Sequence, residues 1–348
     1  MYRKFVKRLM VAGFFFSAPL CVMASGNDSV TAYIQQAKEF QEARKYAEAW
    51  RFFEKAAKVE PNNKEAQLGI VDVCTKMNRM APAIKALEDI YKVYPQDEQV
   101  IWKLVKVYFK FGQYQKVIDL APQVEKRVPD GKNWSYMLGK SYFSIQNYGK
   151  GIQYLQKAVK EDENNADAFY LIGHMYTLMS NYKPAIPYYE KALAMDQENS
   201  YSIRVYEFAM VLATAGEYNQ SVKWFQTALD KGFTPRDDFF MNYAYTLADA
   251  HKTDEAIVMM ENMLKRRPMD IALLNSLADI CYHSGRFKQA ISYWDKVLAM
   301  DEKNARPLYQ IGLAYIKMGN TTDGQQLCDR AIAMDPALGV LKHERRMQ

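Results

Sequence analysis

The residues able to do chemistry in this chain are its histidines, cysteines, carboxylates and a row of aromatics with basic neighbours, and only the row is spaced for a common task. His174, His251, His283 and His343 fall in separate segments, and no CxxC or Cys/His cluster has zinc spacing. HExxH, GxSxG, phosphate-loop and dinucleotide-type glycine patterns do not occur. Carboxylates such as Asp162, Asp196, Asp301 and Asp335 stand near the ends of repeating segments, where solvation and helix N-terminal charge account for them. The expectation is therefore a non-catalytic chain with no cofactor and no metal.

The row is Trp102, Tyr136, Tyr170 and Tyr206, at intervals of 34, 34 and 36 residues. Lys106, Lys140 and His174 follow the first three at i+4, the spacing that puts two side chains on one helix face, and Phe109 and Phe143 stand further along. Flat rings give contact area at low entropic cost, and lysines pair with acidic side chains or a terminal carboxylate, so the row suits an extended, acidic peptide. The same rings suit stacking on a glycan such as peptidoglycan, and they equally suit packing between neighbouring helices.

The elements that must position this row are read from residues 166–199. Phe169, Ile172, Gly173 and Tyr176 mark one face of a first helix; Ala185, Tyr189 and Ala192 mark a second, with Asn181 at the break and Pro184 in the first turn, where its missing N–H is tolerated. One such hairpin cannot bury its own apolar faces, so it needs a similar hairpin on each side. Aligned on Ala185 and Ala192, nine units follow: 30–63, 64–97, 98–131, 132–165, 166–199, 202–235, 237–270, 271–304 and 305–338. Small residues recur at the helix crossing (Gly139, Gly173, Ala209, Gly312) and at the start of the second helix (Ala49, Ala83, Gly151, Ala256). Proline closes five units, at 61, 95, 129, 268 and 336. Register breaks fall at residues 200–201 and at Arg236, Pro122 is expected to kink the second helix of the third unit, and 339–348 reads as a polar terminal cap.

This pattern resembles the tetratricopeptide repeat family, whose W-x2-L-G-x2-Y, A-x3-F and terminal P signature is matched in large part by Phe169, Ile172, Gly173, Tyr176, Ala185 and Tyr189. The resemblance implies an all-α, right-handed superhelical solenoid with Ile34, Leu68, Trp102, Tyr136, Tyr170, Tyr206, Met241, Asn275 and Tyr309 leading its concave stripe. Val71 and Val105 are bulkier than the family's small residue, and the ninth unit departs from the signature at Thr321, Gly324 and Cys328. The family's chaperone-binding carboxylate clamp does not carry over: the corresponding residues, Ile34, Lys38, Gly69, Gln99 and Lys103, lack both asparagines and the first lysine.

Residues 1–24 read as a cleaved export signal, with a basic start, an apolar run from 9 to 23 and small residues before a cut after Ala24; 25–29 is then a short leading segment. Ala18, Pro19 and Leu20 ahead of Cys21 do not resemble a lipobox. Removing the signal takes 46 Lys/Arg against 40 Asp/Glu to 42 against 40, a near-neutral balance that gives no argument for nucleic-acid binding. No transmembrane segment is expected after cleavage. Cys74, Cys281 and Cys328 fall on core positions as small hydrophobes, with a Cys281–Cys328 bridge as the alternative in an oxidising compartment. The functional expectation is an exported protein-protein interaction scaffold of a Gram-negative periplasm, placed in an envelope assembly or secretion complex; the alternative is a glycan- or peptidoglycan-binding accessory protein.

Overall fold

The computed structural model describes residues 26–127, 133–195 and 201–339. The expected signal at 1–24, Ser25, Pro129, Asp196, Ser200 and the tail from 340 lie outside the described residues. Every regular element among the described residues is helical: α1 Gly26–Glu42, α2 Tyr46–Val59, α3 Lys64–Lys76, α4 Met80–Val93, α5 Glu98–Lys110, α6 Tyr114–Asp119, α7 Ala121–Arg127, α8 Trp134–Ser144, α9 Tyr148–Glu161, α10 Ala166–Leu178, α11 Tyr182–Met195, α12 Tyr201–Thr214, α13 Tyr218–Asp230, α14 Asp237–Asp249, α15 Thr253–Arg266, α16 Ile271–His283, α17 Phe287–Met300, α18 Ala305–Lys317 and α19 Thr321–Met334. They form successive antiparallel pairs in an all-α solenoid, and within each unit a pair packs against the next. The chain divides into two compact units, 1–132 and 133–348. No helix of the described residues is long and apolar enough to cross a membrane.

Local chemistry sets the helix ends. Asn63, Asp97, Asn165 and Asp270 each stand one residue before a first helix and accept a hydrogen bond from a backbone N–H of its first turn, at Ala66, Val100, Ala168 and Leu273. Within each pair the turn passes through one left-handed residue: Gly112, Gly216, Gly285 and Gly319 adopt it freely, whereas Arg44, Asn78, Gln146, Ser180 and His251 adopt it against a steric cost. His251 is thus a turn residue. The helix containing Pro122 is broken at Leu120 into α6 and α7, and Pro122 lands in the first turn of α7, where no intrahelical N–H bond is lost.

Packing across each pair depends on missing side-chain atoms. A Cβ added at Gly173 would lie 2.8 Å from the Tyr189 ring, and one at Gly139 would lie 2.6 Å from Leu155. At Gly312 and Gly324 each added Cβ would meet the other's carbonyl oxygen, so these two glycines bring α18 and α19 together. Where Val71 replaces the family's small residue, close approach is moved to Gly69, against the Phe53 ring of the preceding pair. In the second unit one core runs from Ala185 to Ala314, with Tyr189, Phe208, Phe225, Phe239 and Trp294 wholly buried. Tyr176, expected in the core, is only half-buried, and Leu171 and Met175 complete that face instead. Cys74, Cys281 and Cys328 are buried as expected; Cys281 is a free thiol, and Cys328 Sγ lies 3.6 Å from the Tyr309 carbonyl.

Gly173→Leu is expected to destabilise the α10–α11 pair by about 1–3 kcal/mol through overpacking against Tyr189. Gly149→Ala, at an α9 position with open space around it, should be stabilising by about 0.5 kcal/mol. Opposite shifts of the urea midpoint check both. Burial pushes the Cys74 and Cys281 thiols up to about 11. Both should therefore resist iodoacetamide at pH 7.5 in folded protein and label fully in denaturant, as read site by site by mass spectrometry.

Candidate interaction surfaces

In the first unit, α1, α3 and α5 present one charged face. Together with α2 they enclose an open cleft of about 680 Å³, lined by Phe53, Leu68 and Gly69 among apolar groups and by Lys38, Glu42, Lys64, Glu65, Asp72, Lys76, Gln99 and Lys103. Three ion pairs cross from one helix to the next: Lys38–Glu65 at 2.6 Å, Lys64–Asp97 at 2.5 Å and Lys103–Asp72 at 2.6 Å. Burial raises the Asp97 carboxyl, but hydrogen bonds from Lys64 and the Val100 N–H outweigh it and hold the group below the usual carboxylate range. Four of the residues compared with the clamp, Lys38, Gly69, Gln99 and Lys103, do line this cleft; Ile34 is core.

Trp102 and Lys106 continue the same α5 face, since 99, 102, 103 and 106 follow i, i+3, i+4, i+7 spacing. Lys106 is exposed, with Nζ 5.3 Å from the centre of the half-buried Trp102 ring. Phe109 packs edge-on against Tyr114 of the same pair, with ring centres 6.0 Å apart.

The rest of the expected row lies in the second unit and is bound up with its own helices. Lys140 Nζ lies 5.6 Å from the Tyr136 ring centre and 3.4 Å from its hydroxyl. Phe143 meets His174 edge-on at 5.7 Å, His174 stacks on Tyr170 at 5.7 Å, and its Nδ1 is 3.4 Å from the Tyr189 hydroxyl. The Tyr170 hydroxyl donates to Glu207 at 2.5 Å, while Arg204 lies 4.3 Å over the Tyr170 ring and pairs with Asp167. Burial and the Glu207 carboxylate raise the Tyr170 phenol well above its ordinary value, so it remains a donor. Tyr206 packs instead with Phe225, Phe233 and Phe239, and its hydroxyl accepts from Asn242 at 3.1 Å.

The spacing identified the aromatics but not their partners. Arg204 and Glu207 lie on α12 while their partners Asp167 and Tyr170 lie on α10, and contacts over such separations leave no local mark; the same holds for Lys103 with Asp72. The concave stripe is not uniform either, since Ile34, Leu68 and Tyr309 are buried. Among the described residues, no group of three His, Cys, Asp or Glu side chains is placed to hold a metal ion.

Stacked helical pairs that bury small residues at their crossings define a helical-repeat solenoid. The chain belongs to the tetratricopeptide repeat family: models described as tetratricopeptide repeat match residues 40–107, 135–165, 166–199 and 305–338, and one described as TPR repeat matches 278–319. Proteins of this family mediate protein-protein interactions. The chain is 23% identical over 125 residues to the TPR repeat-containing protein YpiA of Bacillus subtilis (strain 168); the matched stretch is 36% of this chain and 29% of that protein, so the chain spans under a third of that relative. Among solved structures it is similar to YrrB, a TPR protein with an unusual peptide-binding site, at 20% identity over 55% of this chain and 97% of that one, with a TM-score of 0.39. It is also similar to MamA 41-end from Desulfovibrio magneticus RS-1 at 21% identity, covering 48% and 95%, with a TM-score of 0.45. For PilF of Pseudomonas aeruginosa the identity is 12%, the coverage 64% and 99%, and the TM-score 0.47.

Tyr170→Phe keeps the ring contacts but leaves Glu207 without its donor. The expected cost is about 1.5–3 kcal/mol, the range for hydrogen bonds to charged groups, measured by urea unfolding against the double variant with Glu207→Gln.

Proposed function

We propose that this protein is an exported, non-catalytic scaffold of a Gram-negative periplasm that holds an extended peptide, or an extended segment of a partner protein, across α1, α3 and α5 within an envelope assembly or secretion complex. The observation that carries the binding reading is the 680 Å³ cleft of the first unit, with apolar groups at its base and charged groups around it. Its α5 side is basic: Lys103, Lys106 and Lys110 project from that helix and Lys76 from α3, with Trp102 between them. An acidic segment lying there would exchange ion-pair partners with lysines that Asp72 and its neighbours already hold in place, which lowers the ordering cost of binding. The export reading rests on the tripartite pattern of residues 1–24.

The test is a photo-crosslinking residue at position 99, incorporated in cells, with captured partners identified from the envelope fraction. A partner captured by wild type should be lost from Lys103→Glu and reduced by Trp102→Ala, and its affinity should fall steeply toward roughly 0.5 M salt as exposed charges are screened. Intact mass of the purified protein should begin at Ser25. Capture unchanged in both variants would remove the cleft as the site, and retention on purified peptidoglycan that ignores salt and Lys103→Glu would favour the glycan reading instead.

A further inference from the structure

The second unit has a second opening, in a pair that breaks the pattern of the others. The connection leading into α14 runs from 231 to 236, six residues, where the connections at 60–63, 94–97, 162–165, 267–270 and 301–304 have four. Arg236 marks this excess in the sequence, and as the residue before α14 it makes no side-chain cap hydrogen bond. Phe233, in this connection, packs against Tyr206 and Phe239 at 5.1 and 5.3 Å, and Phe239 lies in the core, as Ala168 does at the same position of α10. Phe240 is half-buried at the position Phe169 occupies in the α10–α11 pair.

The two pairs differ again over that ring. Phe169 is 6% exposed and covered by Lys191, whose Nζ lies 5.3 Å from the ring centre. The residue corresponding to Lys191 is Asn262, and a cavity of about 470 Å³ opens there instead, lined by Asp237, Phe240, Met259, Asn262, Met263, Arg266 and Arg267. Met259, Asn262, Met263 and Arg266 follow i, i+3, i+4, i+7 spacing, so α15 turns one continuous face into the cavity, apolar at its centre and polar at its rim. The volume is within the range of ligand pockets, and methionine adapts its shape to different apolar groups.

The charges at the mouth do not cancel in the same way. Arg267 pairs with Asp237 at 3.0 Å and Asp270 at 3.1 Å, and Asp270 also caps α16. Arg266 has no ion-pair partner among the described residues, and the Asn262 side-chain oxygen already accepts from Lys265 at 2.9 Å, which leaves its amide N–H groups to donate. An apolar floor beside an uncommitted guanidinium and an amide donor matches an apolar side chain that carries a carboxylate close by.

We infer that the α14–α15 cavity is a second binding site, for a short apolar peptide segment with a carboxylate next to its anchoring side chain: the side chain sits on Phe240, Met259 and Met263, and the carboxylate meets Arg266 and Asn262. This site is independent of the cleft in the first unit. The test uses the full-length protein labelled at its methionine methyl carbons and titrated with N-acetyl-leucyl-phenylalanine as free acid, as its C-terminal amide, and in a separate arm with decanoate. The free acid should shift the Met259 and Met263 methyl signals saturably and bind at least tenfold more tightly than the amide. Arg266→Gln should erase the difference between acid and amide, and Asn262→Phe, which plugs the cavity from an exposed position, should abolish both shifts. Equal binding of acid and amide to wild type, an unchanged titration in Asn262→Phe, or shifts with decanoate alone would each overturn the assignment, the last in favour of a lipid carboxylate.

Discussion

The approach of two helices through a position that lacks a side chain is the contact on which the rest of the structure depends. Gly173 under Tyr189, Gly139 under Leu155 and the mutual contact of Gly312 and Gly324 leave no room for even one added carbon. Ser221 adds a hydrogen bond at the same kind of crossing, its hydroxyl donating to the Ala209 carbonyl at 2.7 Å. Because each pair closes this tightly, its larger apolar groups project toward the neighbouring pair, where Phe208 stacks on Tyr189 at 5.6 Å and Tyr243 on Phe225 at 4.9 Å. Stability is then a property of interfaces between pairs, as expected of a solenoid.

Polar ties between adjacent pairs act on a smaller energy scale. Exposed ion pairs such as Arg286–Asp254 contribute little free energy, because water and salt screen them. Their effect is on register and on side-chain position. Glu88 accepts from both Lys116 and Tyr108, at 2.8 Å each, and those bonds hold its carboxyl below the usual range while joining α4 to α5 and α6. In the α1–α3–α5 cleft the same kind of pairing keeps long lysine side chains extended at fixed places, so a surface of flexible residues acquires defined geometry.

The repeating helical pairs were legible from the sequence because close packing needs small residues at a fixed interval, and that interval is visible without any structure. The break at Pro122 was legible for a similarly local reason, the missing N–H and the ring. The aromatic row was legible as residue types only. Trp102 lies beside a lysine on an exposed face, whereas Tyr206 is held among three phenylalanines, and nothing in the spacing separates them because the difference is made by Phe233, which lies in the longer connection ahead of α14. The cleft lining was read mainly as a failed match to a known clamp. Lys64, Asp72 and Lys76 went unnoticed because their partners or neighbours come from other pairs of helices.

The cavity beside Phe240 has a different source from the cleft of the first unit, which lies almost wholly within a stretch that matches the family pattern. The family models match 40–107, 135–199 and 278–338, and the stretches between them contain the broken helix at Pro122 and the six-residue connection ahead of α14. The α10–α11 pair covers its own aromatic group, as Lys191 lies over Phe169; in the α14–α15 pair Asn262 stands at that place and a cavity opens beside Phe240, while Phe233 packs on Phe239. A solenoid can gain a site in this way at modest cost, since each pair answers only to its immediate neighbours. The irregular connection is then a change of surface and not a defect in packing, since the ring of Phe233 within it packs against Tyr206 and Phe239.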